Sequence, residues 1–307
     1  MDLLRTAFIG LSESQELRHL AESSSLARKV SRRFVAGMTL GEALDVCGSL
    51  NRQGISVTLD ALGENVSDTE HAHASGTIYH SMLDHIAERQ LDANVSLKLT
   101  QMGMDVPGDV AENIVLKLGQ HAKRLNNFVR VDMEGSSYTQ ATIDMVQRLH
   151  KDQSVGDSIG IVVQAYLYRT EKDIADLLAS NIRMRLCKGA YSEPAALAFP
   201  AKNDVDNNYV HLMKSLMKSG VFHGFATHDE SIIDQAKRFC VQEKIDRSTF
   251  EFQMLYGIRR DLQRSLIKDG YRVRVYVPFG GEWYPYFMRR LAERPANALF
   301  LARNIFK

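Results

Sequence analysis

The feature that most constrains this chain is an alternation repeated eight times. Between residues 55 and 277, eight short runs rich in β-branched and aromatic residues are each followed by a turn and a helix-like segment. The runs are Ile55 to Leu59, Val95 to Leu99, Phe128 to Val131, Ile159 to Val163, Ile182 to Cys187, Phe222 to Thr227, Phe250 to Leu255 and Tyr271 to Val277. Between them, Ile114, Val115, Leu118 and His121 share one helix face, as do Ile232, Ile233, Ala236 and Phe239. Strands alternating with helices imply parallel pairing. Eight such units predict an α/β fold, a (βα)8 TIM barrel. An open sheet of that size usually carries a glycine-rich dinucleotide turn, and neither GxGxxG nor GxxxxGK[ST] occurs.

The first 50 residues read as extra N-terminal helices packing on a barrel of 51–307, the whole forming a single structural domain. Leu3, Leu4, Ala7, Phe8 and Leu11 share one face, and Leu40, Ala43, Leu44 and Cys47 another. The basic cluster of Arg28, Lys29, Arg32 and Arg33 reads first as a solvated face, with anionic lipid as the alternative. Lys plus Arg is 38 against 37 for Asp plus Glu, so no net field favours nucleic acid. Cys47, Cys187 and Cys240 lie far apart, which argues against a disulfide framework or a zinc site and for a cytoplasmic protein. His71 and His73 stand two apart in a helical segment and do not share a face, so no metal site is expected. With no run of about twenty apolar residues, any membrane contact is expected to be peripheral.

Barrel enzymes place their chemistry at the carboxyl ends of the strands. Those ends carry Asp60, Lys98, Asp132, Gln164, Arg185 with Lys188, His228, Gln253 and Tyr276, a polar residue in every case. Lys98 needs a carboxylate or an anionic ligand to offset burial. Arg185 and Lys188 set two cations around one strand end, and Gly189 permits close backbone approach. Thr227 and His228 offer a hydroxyl and an imidazole to phosphate or ribose. Past the last strand, Tyr286, Arg289, Arg290 and Glu293 fall at i, i+3, i+4 and i+7, a polar stripe where an apolar one is usual. Lys98, Arg289 and Arg290 can converge on a carboxylate, with Tyr276 and Tyr286 walling an apolar ring. Spacing leaves two other readings open: a Schiff-base lyase or aldolase using Lys98 or Lys188, and a noncatalytic binding barrel.

The ordered blocks SLKLTQMG from 96, VRVDME from 129, VVQAYLYRTEKD from 162, RLCKGAYSEP from 185, FATHD from 225, EFQMLYG from 251, RVYVPFG from 274 and WYPYFMRRLAERP from 283 resemble proline dehydrogenase in its short monofunctional bacterial form. The resemblance implies a distorted (βα)8 barrel holding FAD and oxidising L-proline to Δ1-pyrroline-5-carboxylate, with a membrane quinone as electron acceptor. A separate pyrroline-5-carboxylate dehydrogenase would act downstream. It implies that Lys98, Arg289 and Arg290 bind the proline carboxylate and that Asp132 holds Lys98. Tyr276, Tyr286, Leu255 and Ala190 would shape the pocket, and Glu64 would gate it by pairing with Arg289. Met133, Gln164 and Arg185 would contact the flavin ring. Lys188, Gly189, Thr227, His228, Gln253, Arg290 and Glu293 would serve the rest of the cofactor. Cys187, where an aliphatic residue is common, would contribute its backbone.

Overall fold

A computed structural model describes residues 31–293, except the side chains of 289–293. The face from Leu3 to Leu11, the cations Arg28 and Lys29, and the side chains of Arg289, Arg290 and Glu293 therefore lie outside the described residues. Within them, helix α1 (Leu40–Asn51) precedes β1 (Ser56–Ala61), α2 (Thr69–Glu88), β2 (Ala93–Leu97), α3 (Val110–Arg124), β3 (Val129–Val131) and α4 (Ser136–Lys151). The chain continues with β4 (Ile159–Gln164), α5 (Thr170–Leu178), β5 (Arg183–Cys187), α6 (Lys202–Lys218), β6 (His223–Ala226) and α7 (Glu230–Gln242). It ends with β7 (Phe250–Leu255), α8 (Arg260–Lys268), β8 (Val273–Phe279) and α9 (Trp283–Glu293). The eight strands pair in parallel and in sequence order, and β8 closes on β1 from Ser56↔Arg274 to Ala61↔Phe279. All eight expected strands are present, with ends displaced by at most two residues and β7 matched at both ends.

Local sequence explains where the helices start. Thr39 caps α1 in a capping box: its Oγ1 accepts the Glu42 N–H at 3.3 Å, while Glu42 accepts the Thr39 N–H at 3.2 Å. Asp68 caps α2 by accepting the His71 N–H at 2.9 Å and also binds the exposed His71 ring, so this imidazole serves a helix terminus. In α3 the buried residues Ala111, Ile114, Val115, Leu118 and Ala122 form one stripe against the barrel. Burial of each larger side chain there stabilises the fold by about 1.5–3 kcal/mol.

Strand alternation separates two environments. Outward residues such as Val57, Leu59, Val95, Leu97, Ile161, Val163, Phe252, Met254, Val275 and Val277 are buried in the apolar layer beneath the helices. The alternate positions, including Thr58, Ser96, Arg130, Arg185, Glu251, Gln253 and Arg274, are buried and polar. Near the amino-terminal end a cation–π ladder runs through Arg130, Phe128, Arg183, Phe222 and Arg272, with successive cation–ring distances of 4.6, 4.3, 5.1 and 5.2 Å. Over the carboxyl end, Phe34, Val35, Ile258, Trp283, Tyr284, Tyr286 and Met288 form a second apolar cluster. The segment carrying Phe34 is tied to the end of β8 by backbone bonds from Ala36 N–H to Pro278 O (2.8 Å) and from Gly280 N–H to Gly37 O (3.0 Å).

Candidate active site

The carboxyl ends of the strands converge on Asp132, the first residue after β3. Its N–H donates to Leu97 O at 2.8 Å, extending the ladder with β2 by one bond. Oδ1 accepts Ser96 Oγ at 2.6 Å and Arg185 Nη1 at 2.7 Å, while Oδ2 accepts Tyr276 OH at 3.0 Å. Donors from β2, β5 and β8 therefore fix one carboxylate. The Arg185 guanidinium stands 5.3 Å from the Tyr276 ring centroid, and its Nε donates to Gln253 Oε1. Burial, then Asp132 and Asp60, hold the Tyr276 phenol well above its ordinary pKa, so it stays protonated and donates.

Lys98 is half-buried one residue beyond β2. Its charge acts on Asp60 and Glu134, in each case opposing the rise in carboxyl pKa that burial causes. Glu134 is also held by the Thr100 N–H at 3.0 Å and Oγ1 at 2.6 Å, and the charge of Glu64 reaches it. Asp60 accepts the Tyr79 hydroxyl at 3.1 Å. The rim around Lys98 thus carries Asp60, Glu64 and Glu134, while Asp132 organises Ser96, Arg185 and Tyr276.

On the next strand, β4, Gln164 Nε2 donates to Met133 O at 3.4 Å, and its buried Oε1 has no partner among the described residues. Gly189 adopts φ +114°, and a Cβ there would lie 2.3 Å from the Tyr166 ring, so this turn requires glycine. Lys188 bridges Asp206 at 2.5 Å and Asp229 at 3.0 Å, a load the sequence reading did not give it. Thr227 Oγ1 accepts the Asp229 N–H at 3.1 Å, and His228 Nε2 accepts the Leu255 N–H at 2.9 Å, which makes that imidazole nitrogen an acceptor. Cys187 carries a free thiol, raised to about 12 by burial, and its carbonyl accepts the Ala165 N–H at 2.8 Å. Ala190 is exposed on the loop after β5, whereas Tyr286 is buried in the cluster that Leu255 also joins.

The structure thus gathers Asp132, Arg185, Gln253 and Tyr276 into one network, keeps Lys98 within electrostatic reach of Asp60 and Glu134, and sets Lys188 in a separate ion cluster. Sequence reasoning passed over Ser96, Glu134, Glu251 and Arg274. The period-two pattern of Phe250-Glu251-Phe252-Gln253-Met254 marks Glu251, because polar residues two apart on a strand face the same side.

A closed parallel barrel with a charged, hydrogen-bonded mouth defines an enzyme of the (βα)8 class. A family model described as proline dehydrogenase matches residues 43–303. The proline dehydrogenase 1 of Bacillus subtilis subsp. natto is 40% identical over 305 residues, spanning 99% of this chain and 100% of that protein. The proline dehydrogenase of Deinococcus radiodurans is 37% identical over 308 residues, covering 99% and 98%. Among solved structures, proline utilization A from Bdellovibrio bacteriovorus inactivated by N-propargylglycine superposes with a TM-score of 0.83 at 22% identity, a likeness of fold. That match covers 95% of this chain and 36% of the larger protein. The chain belongs to the proline dehydrogenase family, oxidoreductases that carry out the first step of proline catabolism.

Proposed function

We propose that the barrel mouth binds FAD and L-proline together and yields Δ1-pyrroline-5-carboxylate. The observation that carries this reading is that the neighbouring strands β4 and β5 bring Gln164 and Arg185 to the same mouth. Gln164 presents a buried acceptor without a partner among the described residues, and Arg185 presents a guanidinium held in place by Asp132 and Gln253. An isoalloxazine edge offers both the N–H and the carbonyl groups that this pair can bind. FAD, when bound, supplies the acceptor for a hydride from proline C5.

The chain's own residues then bind and orient. Met133, Gln164 and Arg185 would meet the ring. Lys188, Gly189, the Cys187 backbone, Thr227, His228, Gln253, Arg290 and Glu293 would serve the remainder of the cofactor. Lys98, Arg289 and Arg290 would clamp the substrate carboxylate, and orientation of this kind can supply a large part of a rate enhancement. Tyr276, Tyr286, Leu255 and Ala190 would bound the pyrrolidine ring. Glu64 would close the site by pairing with Arg289 and so exclude water. The positive Arg185 would stabilise negative charge developing beside it.

A membrane quinone would take the electrons, and a separate pyrroline-5-carboxylate dehydrogenase would consume the product. No helix among the described residues is long and apolar enough to cross a membrane. Residues 1–50 would pack on the barrel as a helical segment. Denaturing the purified protein should release FAD in equimolar amount. A colourless protein that FAD cannot reconstitute would overturn the proposal.

A further inference from the structure

Beneath the proposed site lies Glu251, a carboxylate 2% exposed in the barrel interior. Its Oε1 accepts Arg274 Nε at 2.7 Å and Gln253 Nε2 at 2.6 Å. Gln253 in turn accepts Arg185 Nε through Oε1. An ionised carboxylate can only accept and a guanidinium can only donate, so the amide between them has one satisfied orientation. The flipped amide would set oxygen against oxygen and N–H against N–H, each pair buried. Burial alone would raise the Glu251 pKa, but Arg274, with Gln253 and Arg130, lowers it and keeps the group ionised. Arg274 is itself tied to Val57 O at 2.6 Å. A chain of bonds thus runs from the barrel floor through Glu251 and Gln253 to Arg185.

We propose that Glu251 is a positioning residue: it fixes the Gln253 amide, which fixes the direction in which Arg185 presents its guanidinium to the site. Gly224 completes the device. It pairs with Glu251 across β6 and β7, and a Cβ there would fall 2.3 Å from Gln253 Nε2. The far end of that side chain is what would have to move. Alanine at 224 therefore displaces the amide without touching any charge.

This inference rests on the proposed role of Arg185 beside the flavin, and the test separates the two. Four proteins are compared: wild type, Glu251→Gln, Glu251→Leu and Gly224→Ala. In Glu251→Gln, Arg274 can only donate, so it holds the new amide oxygen where Oε1 stood and Gln253 keeps its orientation. The first readout is the Arg185 Nε–H resonance and its hydrogen exchange in flavin-free protein. The second is the affinity of the FAD-loaded protein for sulfite, which adds to flavin N5 and reports stabilisation of the resulting charge.

Glu251→Leu and Gly224→Ala should lose the protected Nε–H and weaken sulfite binding roughly tenfold or more, the scale of one misaligned charge-assisted hydrogen bond. Their kcat for L-proline should fall with little change in KM. Glu251→Gln should resemble wild type. A merely structural charge would give the reverse pattern, with Glu251→Gln impaired and Gly224→Ala normal, and that result overturns the proposal. So does a protected Nε–H in Gly224→Ala, which keeps the test decisive if Glu251→Leu does not fold. Loss of the Nε–H with unchanged sulfite affinity would instead refute the placement of Arg185 beside the flavin.

Discussion

Asp132 joins the two halves of the mouth, and its removal gives the sharpest quantitative consequence. In Asp132→Asn the amide oxygen still accepts Ser96 and Arg185, but the bond to Arg185 ceases to be an ion pair. Its side-chain partners are only 7% and 16% exposed, so solvent screening does little to soften the loss. Replacing the ionised acceptor by a neutral amide, with the guanidinium still charged, costs about 1–2 kcal/mol. The other amide position turns an N–H toward the Tyr276 hydroxyl, which must rotate, at a cost of about 1 kcal/mol. Together these give about 2–3 kcal/mol; if expressed in the transition state, kcat/KM for proline falls roughly 30- to 150-fold. Asp132→Ala strands a buried guanidinium and should destabilise the fold by about 3–5 kcal/mol. Steady-state kinetics normalised to bound flavin, with urea unfolding of the same samples, measure both. An Asp132→Asn protein with wild-type kcat/KM would refute the idea that Asp132 organises Arg185 and Tyr276.

Three further outcomes follow from the geometry. His223 accepts the Met184 N–H at 3.1 Å through Nδ1, and burial first, then Arg130, holds its pKa at about 3 against 6.5. The unfolded chain therefore binds the extra proton below pH 6.5, and stability is lost as pH falls: by about 2 kcal/mol between pH 7.5 and 5, a dependence that His223→Gln should flatten in urea titrations. Arg289→Lys keeps the charge but loses the bidentate fork; KM for proline should rise far more than flavin content changes, and an unchanged KM would remove Arg289 from the clamp. Turnover at saturating proline should climb with pH until the bound amine is neutral. Because Tyr276 stays protonated well above its ordinary pKa, Tyr276→Phe should leave the position of that rise unmoved.

Most of the architecture was legible because strand and helix periods are written into the outward residues. Val57, Leu59, Ile114 and Leu118 face one apolar layer, and their spacing alone separates strand from helix. The strand ends were legible for the same reason, which brought Asp132, Arg185, Gln253 and Tyr276 into view before their contacts were known. What stayed hidden is connectivity. Nothing in the spacing says that Asp132 binds Arg185 and Tyr276, that Lys188 is engaged by Asp206 and Asp229, or that Glu134 is gripped by Thr100. Those pairings cross between strands and depend on barrel register. Glu251 and Arg274 were passed over because attention to strand ends neglects the interior, where alternation had already placed two charges facing inward.

In the proposed function this barrel passes electrons from proline to a flavin. It is tested by an anaerobic titration of the FAD-loaded protein with L-proline, followed by absorbance, with trapping of the cyclic imine product. The expected result is stoichiometric bleaching of the flavin band and one equivalent of Δ1-pyrroline-5-carboxylate. An FAD-loaded protein whose spectrum L-proline leaves unchanged at any pH would contradict it.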